Sequence, residues 1–223
     1  MFKNLKITAK MRTQVCFSEY LRFDNILSAA KAKDILADTY YSQGKQCGSV
    51  QLVIDTLSKF LKFNEKLGVF HASCAISDNE FVTAYSKRWN SGLDRAVAFK
   101  GKGRAEIDTA RGFFKAYRNP LVYHVMPEIV FYAVGDGAEI ERLLQNIAYL
   151  GKKSSQGYGE VSEWIVEVID EDKSIFNNGK IARIIPVLAY VNNEYEVTDD
   201  MNIAECAVIP PAYRKEKMDC FVP

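Results

Sequence analysis

The pattern of apolar and polar positions predicts several β-strands. Near the start of the chain, four apolar residues alternate with four polar ones, three of them basic: Leu5, Ile7, Ala9 and Met11 with Lys6, Thr8, Lys10 and Arg12. This alternation is typical of a half-buried strand with a basic outer face. Shorter apolar runs predict strands at residues 69–76, 81–85 and 184–191, and residues 129–134, apolar on both faces, predict a central strand. After residue 160, alternation about Trp164 predicts one more strand.

A second period, close to 3.6 residues, predicts three helices. The first would begin with Asp24 as its N-cap, and the second would span residues 50–63. The third would begin at Asp136 and Glu139, which resemble a capping box, and end at Gly151 as the C′ residue. Its apolar positions fall on one face: Ile140, Leu143, Leu144, Ile147 and Ala148.

The order of these elements predicts an α+β fold. A strand and a helix come first, then further strands, a strand–helix pair, a glycine-rich loop and a last strand, which is a ferredoxin-like or RRM-type framework. We expect residues 1–223 to form one domain of this type. Residues 86–119 would form a basic, glycine-containing, hairpin-like insertion, and residues 170–223 a C-terminal extension with an extra strand region, packed on the domain.

Composition limits the class of protein. With 48% apolar residues among 223, the chain can bury a sizeable core. No run approaches the roughly 18 apolar residues of a membrane span, and the N-terminus has no signal-peptide pattern. The five cysteines contain no C-x-x-C pair and are interpreted as reduced thiols in a cytoplasmic protein: Cys16, Cys47, Cys74, Cys206 and Cys220. We expect no membrane contact, no metal and no cofactor.

Charge is distributed unevenly, although the net charge is only +1. Residues 85–118 carry nine basic and three acidic side chains, whereas residues 160–223 carry six basic and thirteen acidic ones. This polarity favours one surface for a polyanion and another for basic protein neighbours.

The segment from Gly151 to Gly159 has the composition of a nucleic-acid-binding loop. It combines glycines that allow close backbone approach with cationic, hydroxyl, amide and aromatic side chains: Gly151, Lys152, Lys153, Ser154, Ser155, Gln156, Gly157, Tyr158 and Gly159. Tyr158 could stack on a base. A P-loop is excluded, because its lysine follows the second glycine and its order is strand, loop, helix. The alternative is a Gly/Ser turn with two solvated lysines.

The basic insertion supplies further candidate RNA-binding residues. They are Lys87, Arg88, Trp89, Lys100, Lys102, Arg104 and Arg118. Trp89 beside two cations could stack a base or wedge a duplex, or it could anchor the base of the hairpin. Four glycines in this insertion argue against a packed helix.

The two histidines are the candidate general bases of an RNA-cleaving site. His71 lies among small and apolar residues and His124 lies in a strand-like run. A histidine in such surroundings is more often a core or strand residue, so we expect no catalytic residue. No Asp, Glu or His set has metal-ligand spacing.

The loop and its surroundings resemble the CRISPR-associated RAMP superfamily, and in particular the handle-binding RAMP subunit of type IV CRISPR effectors. The resemblance spans most of the chain and is strongest from Tyr132 to Trp164. The segments that carry it are Tyr132-Ala133-Val134-Gly135-Asp136, Ile147-Ala148-Tyr149-Leu150-Gly151-Lys152-Lys153, Trp164, Phe70-His71-Ala72-Ser73 and Cys220-Phe221-Val222-Pro223.

The resemblance implies a non-catalytic subunit of a DNA-targeting ribonucleoprotein. Such a subunit holds the 5′ handle of the guide RNA and caps the filament of repeating backbone subunits. Its implied partners are the first backbone subunit, the large subunit and target DNA next to the protospacer, where it could help to recognise the protospacer-adjacent motif. A minority of handle-binding relatives cut precursor RNA, so the alternative is a RAMP endoribonuclease. A stand-alone RRM-type binder is disfavoured because the RNP1 signature is absent.

Overall fold

The computed structural model describes residues 1–17, 20–37, 50–77, 81–89, 117–198, 201–212 and 216–223. The helices are α1 (Phe23–Leu36), α2 (Val50–Leu57), α3 (Gly137–Leu144) and α4 (Val187–Asn192), and a 3₁₀ turn spans Ser154–Gln156. The strands are β1 (Lys3–Met11), β2 (Phe63–Asn64), β3 (Val69–Phe70), β4 (Phe81–Trp89), β5 (Tyr117–Val125), β6 (Glu128–Gly135), β7 (Val161–Val168), β8 (Phe176–Asn177), β9 (Lys180–Ile181), β10 (Ile185–Pro186), β11 (Asn202–Cys206) and β12 (Met218–Val222). No helix in these ranges is long and apolar enough to cross a membrane.

Strand β1 is the centre of an antiparallel sheet with the order β6-β1-β7. Ile7 of β1 pairs with Phe131 of β6 on one side and with Val166 of β7 on the other. Leu5, Ile7 and Ala9 are buried, as the alternating pattern predicts. Helices combined with antiparallel sheets confirm the α+β class.

The free edge of β6 is covered by residues 72–76. Ala72 bridges to Ala133 and Ile76 bridges to Val130, both antiparallel. The strand predicted at residues 69–76 is therefore regular only at β3. Its continuation is irregular because Cys74 bridges to Arg22 on the opposite side, away from β6.

Helices α1 and α3 pack against one face of this sheet and form the main core. Phe23 of α1 lies 5.1 Å from Phe131 of β6, measured between ring centroids. Ile140 and Leu143 of α3 are fully buried in the same cluster. The apolar face of each helix therefore packs on the apolar face of the sheet.

Two predicted helix ends are wrong. Helix α2 ends at Leu57, and the chain turns so that Phe60 and Leu61 are still buried. Helix α3 ends at Leu144, because the following residues close a tighter turn in which the N–H of Ile147 donates to the carbonyl of Leu144 over 2.9 Å. Ala148 is consequently exposed and Gly151 is not a helix C′ residue.

The predicted N-caps had different outcomes. Asp136 caps α3, where its Oδ1 accepts from the N–H groups of Ala138 at 3.1 Å and Glu139 at 3.4 Å. Asp24 is not the cap of α1: the N-cap position is Arg22, and Asp24 lies inside the first turn with its carboxylate fully buried.

Residues beyond 170 form a second apolar cluster, with strands in the order β10-β12-β11. Leu67, Val69 and Cys74 belong to the same cluster. The predicted strand at residues 184–191 is wrong, since β10 stops at Pro186 and α4 follows. Pro186 has no N–H for a further ladder bond, and the helical turn places the Tyr190 ring 5.0 Å from that of Phe221.

Candidate nucleic-acid interface

Residues Gly151–Gly159, the glycine loop, project from a short paired neck. The N–H of Leu150 donates to the carbonyl of Gly159 over 2.8 Å, and the N–H of Val161 donates to the carbonyl of Ala148 over 2.9 Å. Trp164 of β7 supports the neck, since its Nε1 donates to the carbonyl of Ile147 over 2.9 Å. The chain therefore leaves α3 and enters β7 through a fixed pair of short segments.

The segment after β1 holds the loop from the other side. The carbonyl of Cys16 accepts from the N–H of Lys152 over 2.6 Å, and the carbonyl of Gln14 accepts from the N–H of Gly159 over 2.8 Å. Thr13 adds its hydroxyl, which accepts from the N–H of Glu160 over 2.9 Å. Both ends of the loop are thus tied to the segment that follows the central strand β1.

The three loop glycines have positive φ but different surroundings. A Cβ on Gly151 would lie 2.3 Å from the carbonyl oxygen of Cys16, and one on Gly159 would lie 1.9 Å from that of Leu150. These two glycines allow close approach within the chain. Gly157, with φ +84°, has no atom within 4 Å of such a Cβ. Of the three, only Gly157 offers an open backbone surface to a partner.

The apex of the loop presents its polar groups outward. Lys152, Lys153, Ser154 and Ser155 are exposed, and Gln156 is half-buried. Lys153 has φ 66° and precedes the 3₁₀ turn. The first N–H groups of a helical turn have no acceptor within the turn, so they point outward beside two lysines. Together these groups give the apex a cationic surface suited to phosphate oxygens.

Tyr158 is placed differently from the predicted base-stacking platform. Its side chain is only 7% exposed. Its ring lies 6.2 Å from that of Tyr123 on β5, at an angle of 46°. In this conformation the ring supports the loop from beneath, because it faces the protein.

Strands β4 and β5 pair antiparallel, from Phe81 opposite Val125 to Trp89 opposite Tyr117. Four predicted contact residues are on these strands: Lys87 lies opposite Asn119, and Arg88 lies opposite Arg118. Trp89 is the last residue of β4, at the end where the intervening residues 90–116 begin. Lys100, Lys102 and Arg104 lie outside the described residues.

The inner end of β5 is joined to the glycine loop. Val15 and His124 exchange two backbone hydrogen bonds, of 3.0 and 2.8 Å. The His124 ring also stacks on Phe17, with centroids 3.9 Å apart and planes 8° apart. With the Tyr123–Tyr158 contact, these bonds bring the loop and the basic β4–β5 pair to one side of the molecule.

The basic face predicted for β1 is largely neutralised by β7. Lys6 pairs with Glu167 at 3.8 Å and Lys10 pairs with Glu163 at 3.6 Å. Arg12 pairs with Glu160 at 2.8 Å. This face is therefore a poorer polyanion surface than the sequence of β1 alone suggests.

His71 is held by acidic and hydroxyl groups. Its Nδ1 lies 2.8 Å from Oδ2 of Asp172 and 3.2 Å from Oγ of Ser174, and its side chain is nearly buried. Burial raises the pKa of Asp172, but the hydrogen bonds from His71 and Ser174 outweigh it and lower that pKa to about 2. An ionised Asp172 orients the ring from a loop that follows β7.

A buried charge cluster was not predicted from the sequence. Asp24 accepts from Nη2 of Arg22 at 3.0 Å and from Nη2 of Arg183 at 2.6 Å, and all three side chains are almost fully buried. Desolvation raises the pKa of Asp24, but the two guanidinium groups outweigh it and lower that pKa. Arg22 and Asp24 are close in the sequence, so their ion pair could have been predicted. No sequence signal connects either residue to Arg183.

Within the described ranges, no group of three His, Cys, Asp or Glu side chains could hold a metal ion. The described cysteines are buried and form no disulfide: Cys16, Cys74, Cys206 and Cys220. Burial raises the pKa of Cys74 to about 11, which disfavours the reactive thiolate.

The antiparallel α+β framework, with an exposed lysine- and glycine-containing loop between a helix and a strand, is compatible with the RAMP resemblance of the sequence. The family model for CRISPR type IV associated protein Csf3, a Cas5-like RAMP subunit, matches residues 3–222, so the chain belongs to that family. Membership associates it with the other subunits of a type IV CRISPR system. No curated protein sequence matches the chain.

Proposed function

We propose that this protein is the RNA-binding subunit that holds the 5′ handle of the guide RNA in a type IV CRISPR ribonucleoprotein. The observation that carries the proposal is the apex of the glycine loop: Lys152, Lys153 and the open backbone at Gly157 are exposed on a neck that is fixed on both sides. A preformed cationic loop can bind phosphates without an ordering cost.

The finer fold assignment is part of the proposal. The ferredoxin-like order would place β7, β1, β6 and residues 72–76 side by side, with α1 and α3 on one face. The pairings of β1 with β6 and β7, and the bridges of Ala72 and Ile76 to β6, support it. In this arrangement the glycine loop would connect the second helix to the last strand of the framework.

We further propose that the subunit does not cleave RNA. His71 is nearly buried and bound to Asp172, and His124 is stacked on Phe17, so both rings already have protein partners. The competing function is metal-independent cleavage of precursor RNA. In that case repeat RNA incubated with the protein in EDTA would be cut at one position, and His71→Ala or His124→Ala would abolish the cut. Intact RNA after such an incubation is the result that we expect.

The experiment that tests RNA binding removes the loop charge. Lys152→Ala/Lys153→Ala should weaken binding of the repeat-derived 5′ segment of the guide RNA, and the slope of log affinity against log salt should fall by up to about 0.7 per lost contact. Fluorescence anisotropy at several salt concentrations measures both quantities. The control is Lys66→Ala/Lys180→Ala, which removes two exposed lysines outside the loop. If the loop variant binds like the wild-type protein at every salt concentration, the loop is only a turn.

The remaining partners follow from the same role. The first repeating backbone subunit and the large subunit would contact the protein, which would cap the backbone filament. Target DNA beside the protospacer, including its adjacent motif, would pass near the basic β4–β5 pair. These contacts are part of the proposal and await a reconstituted complex.

A further inference from the structure

A cavity of about 350 Å³ lies directly behind the glycine loop. One wall is α1, with Asn25, Ala29 and Lys33, and the opposite wall is the segment from Ile147 to Lys152. The cavity therefore opens beside the same lysine that we assign to the phosphate-binding apex. Its volume is near the lower end of the range for small-ligand pockets, about 300–1,000 Å³, so it suits one nucleotide-sized group.

The lining combines flat aromatic and cationic side chains. Phe17, Tyr20 and Tyr149 contribute rings, and Lys33 and Lys152 contribute ammonium groups from two different elements. Aromatic faces stack on bases, and lysines bind the phosphate that accompanies each base. An acidic side chain is absent from this lining, so nothing in it repels a phosphate.

Asn25 adds hydrogen-bonding capacity that the described residues do not use. Its Oδ1 is buried and has no hydrogen-bond partner among them. Asn25 lines the cavity, so its amide can offer a hydrogen-bonding group to an occupant. A donor on the edge of a base, either an exocyclic amino group or a ring N–H, could bond to that acceptor.

We propose that this cavity receives one unstacked base of the bound RNA, while the apex of the glycine loop holds the neighbouring phosphates. The inference rests on the proposed function, since it concerns RNA held at the same loop. It adds a contact with a base to a surface that otherwise reads only the sugar–phosphate backbone. Asn25 is then the residue that contacts the edge of that base.

The test fills the cavity without changing its charge. Ala29→Leu adds three carbons to the α1 wall, and leucine keeps a high helix propensity. Ala32→Leu, on the same helix but outside the lining, is the matched control. Each protein is titrated with guide RNAs that carry a single abasic residue at successive handle positions. Thermal melting confirms that the variants fold, and Ala212→Leu fills the cavity from another wall if Ala29→Leu does not.

We expect Ala29→Leu to weaken binding of the intact RNA about tenfold or more, with an unchanged salt slope, because a stacking contact is lost and no charge is removed. One abasic position should weaken binding to the wild-type and Ala32→Leu proteins but not to Ala29→Leu. Asn25→Ala should also weaken binding of the intact RNA, but it should have little effect on the RNA that is abasic at that position.

Three outcomes would overturn the inference. If Ala29→Leu binds every RNA as the wild-type protein does, the cavity holds no base, although wild-type binding still supports the proposed function. If Ala29→Leu impairs assembly with the other type IV subunits but not RNA binding, the occupant is a protein side chain. If the wild-type protein does not bind the RNA, the proposed function fails, and this inference fails with it.

Discussion

At the scale of single residues, the glycines of the loop separate into two structural roles. Gly151 and Gly159 permit contacts within the chain that no side chain would allow, because a Cβ would overlap a carbonyl oxygen. The role of Gly157 is to allow the left-handed backbone conformation, and the space that a Cβ would occupy there is open. A position that is strained but open can be substituted without unfolding the neck, and this makes its contribution to binding measurable.

Gly157→Ala should lower the free energy of unfolding by about 1–2 kcal/mol, the usual cost of a left-handed residue with a Cβ. Gly159→Ala should cost more, since its Cβ would lie 1.9 Å from the carbonyl oxygen of Leu150 in addition to the same backbone strain. Urea denaturation of both variants measures the difference. Equal stabilities would show that the neck is looser than these contacts imply.

Gly157→Val should reduce RNA affinity through the backbone and not through charge. A β-branched side chain at positive φ would hold the RNA away from the loop while leaving Lys152 and Lys153 in place. Affinity should therefore fall with little change in the salt slope, in contrast to the double lysine variant. A slope as low as that of the lysine variant would instead indicate that the substitution misplaces the lysines.

At the scale of secondary-structure elements, the loop depends on two strands that are distant in sequence. Trp164 of β7 bonds to the carbonyl of Ile147 at the neck, and Tyr158 packs against Tyr123 of β5. Strand β5 is also one half of the basic β4–β5 pair. The loop and the pair therefore share one support, and a change in that support should affect both.

Tyr158→Ala should destabilise the protein by about 3–5 kcal/mol, the usual cost of removing a buried aromatic ring. Tyr158→Phe keeps the ring beside Tyr123 and should retain most of the stability and RNA affinity. Thermal denaturation and anisotropy on both variants separate the two roles of the residue. A large loss of affinity in Tyr158→Ala without any loss of stability would restore the direct base-stacking role.

At the scale of the whole molecule, a buried ionic cluster connects two apolar cores. Asp24 belongs to the core beneath the main sheet, whereas Arg183 comes from the C-terminal region. The guanidinium group of Arg22 also donates to the carbonyls of Ala207 and Val208. Nε and Nη1 of Arg183 are buried without a hydrogen-bond partner among the described residues, so the shared carboxylate of Asp24 is the main compensation for two buried cations.

Asp24→Asn should lower the free energy of unfolding by about 3–5 kcal/mol, because it leaves buried charge without its counterion. Asp34→Asn, on the exposed face of α1, changes charge equally and should cost much less. Chemical denaturation at neutral pH compares the two variants. Similar stabilities would mean that water or an anion reaches the guanidinium groups.

The C-terminal region also presents apolar side chains to its surroundings. Leu188 of α4 is 77% exposed and Ile203 of β11 is 58% exposed, within a region of net negative charge. Exposed apolar side chains with acidic neighbours favour a basic protein partner over RNA.

Leu188→Lys should weaken assembly with the backbone and large subunits, because it removes apolar contact and repels a basic partner. Binding of isolated guide RNA should not change. Co-purification of the reconstituted complex measures assembly, and Ile35→Lys, which is similarly exposed on α1, is the control. Cross-links from guide RNA to residues 194–198 would contradict this division of surfaces.

The sequence by itself determined the features that depend on near neighbours. Alternation defined β1, the side chain of Asp136 defined the start of α3, and composition defined the glycine loop and its resemblance to RAMP proteins. Period and capping act over two to four residues, so a linear pattern contains them. Three points stay predictions: the hairpin-like form of the insertion, the domain limits, and the contacts of the site residues with RNA.

Only the tertiary structure decided where elements stop and which side chains meet. Helix α3 ends before its apolar pattern does because the following residues close a tighter turn and then pair with residues 159–161, and residues 187–192 form a helix because Tyr190 packs on Phe221. Tyr158 is buried, and Asp24 meets a guanidinium group 159 residues away. Each of these outcomes is decided by desolvation and packing between distant segments, and a local sequence pattern does not contain that free energy.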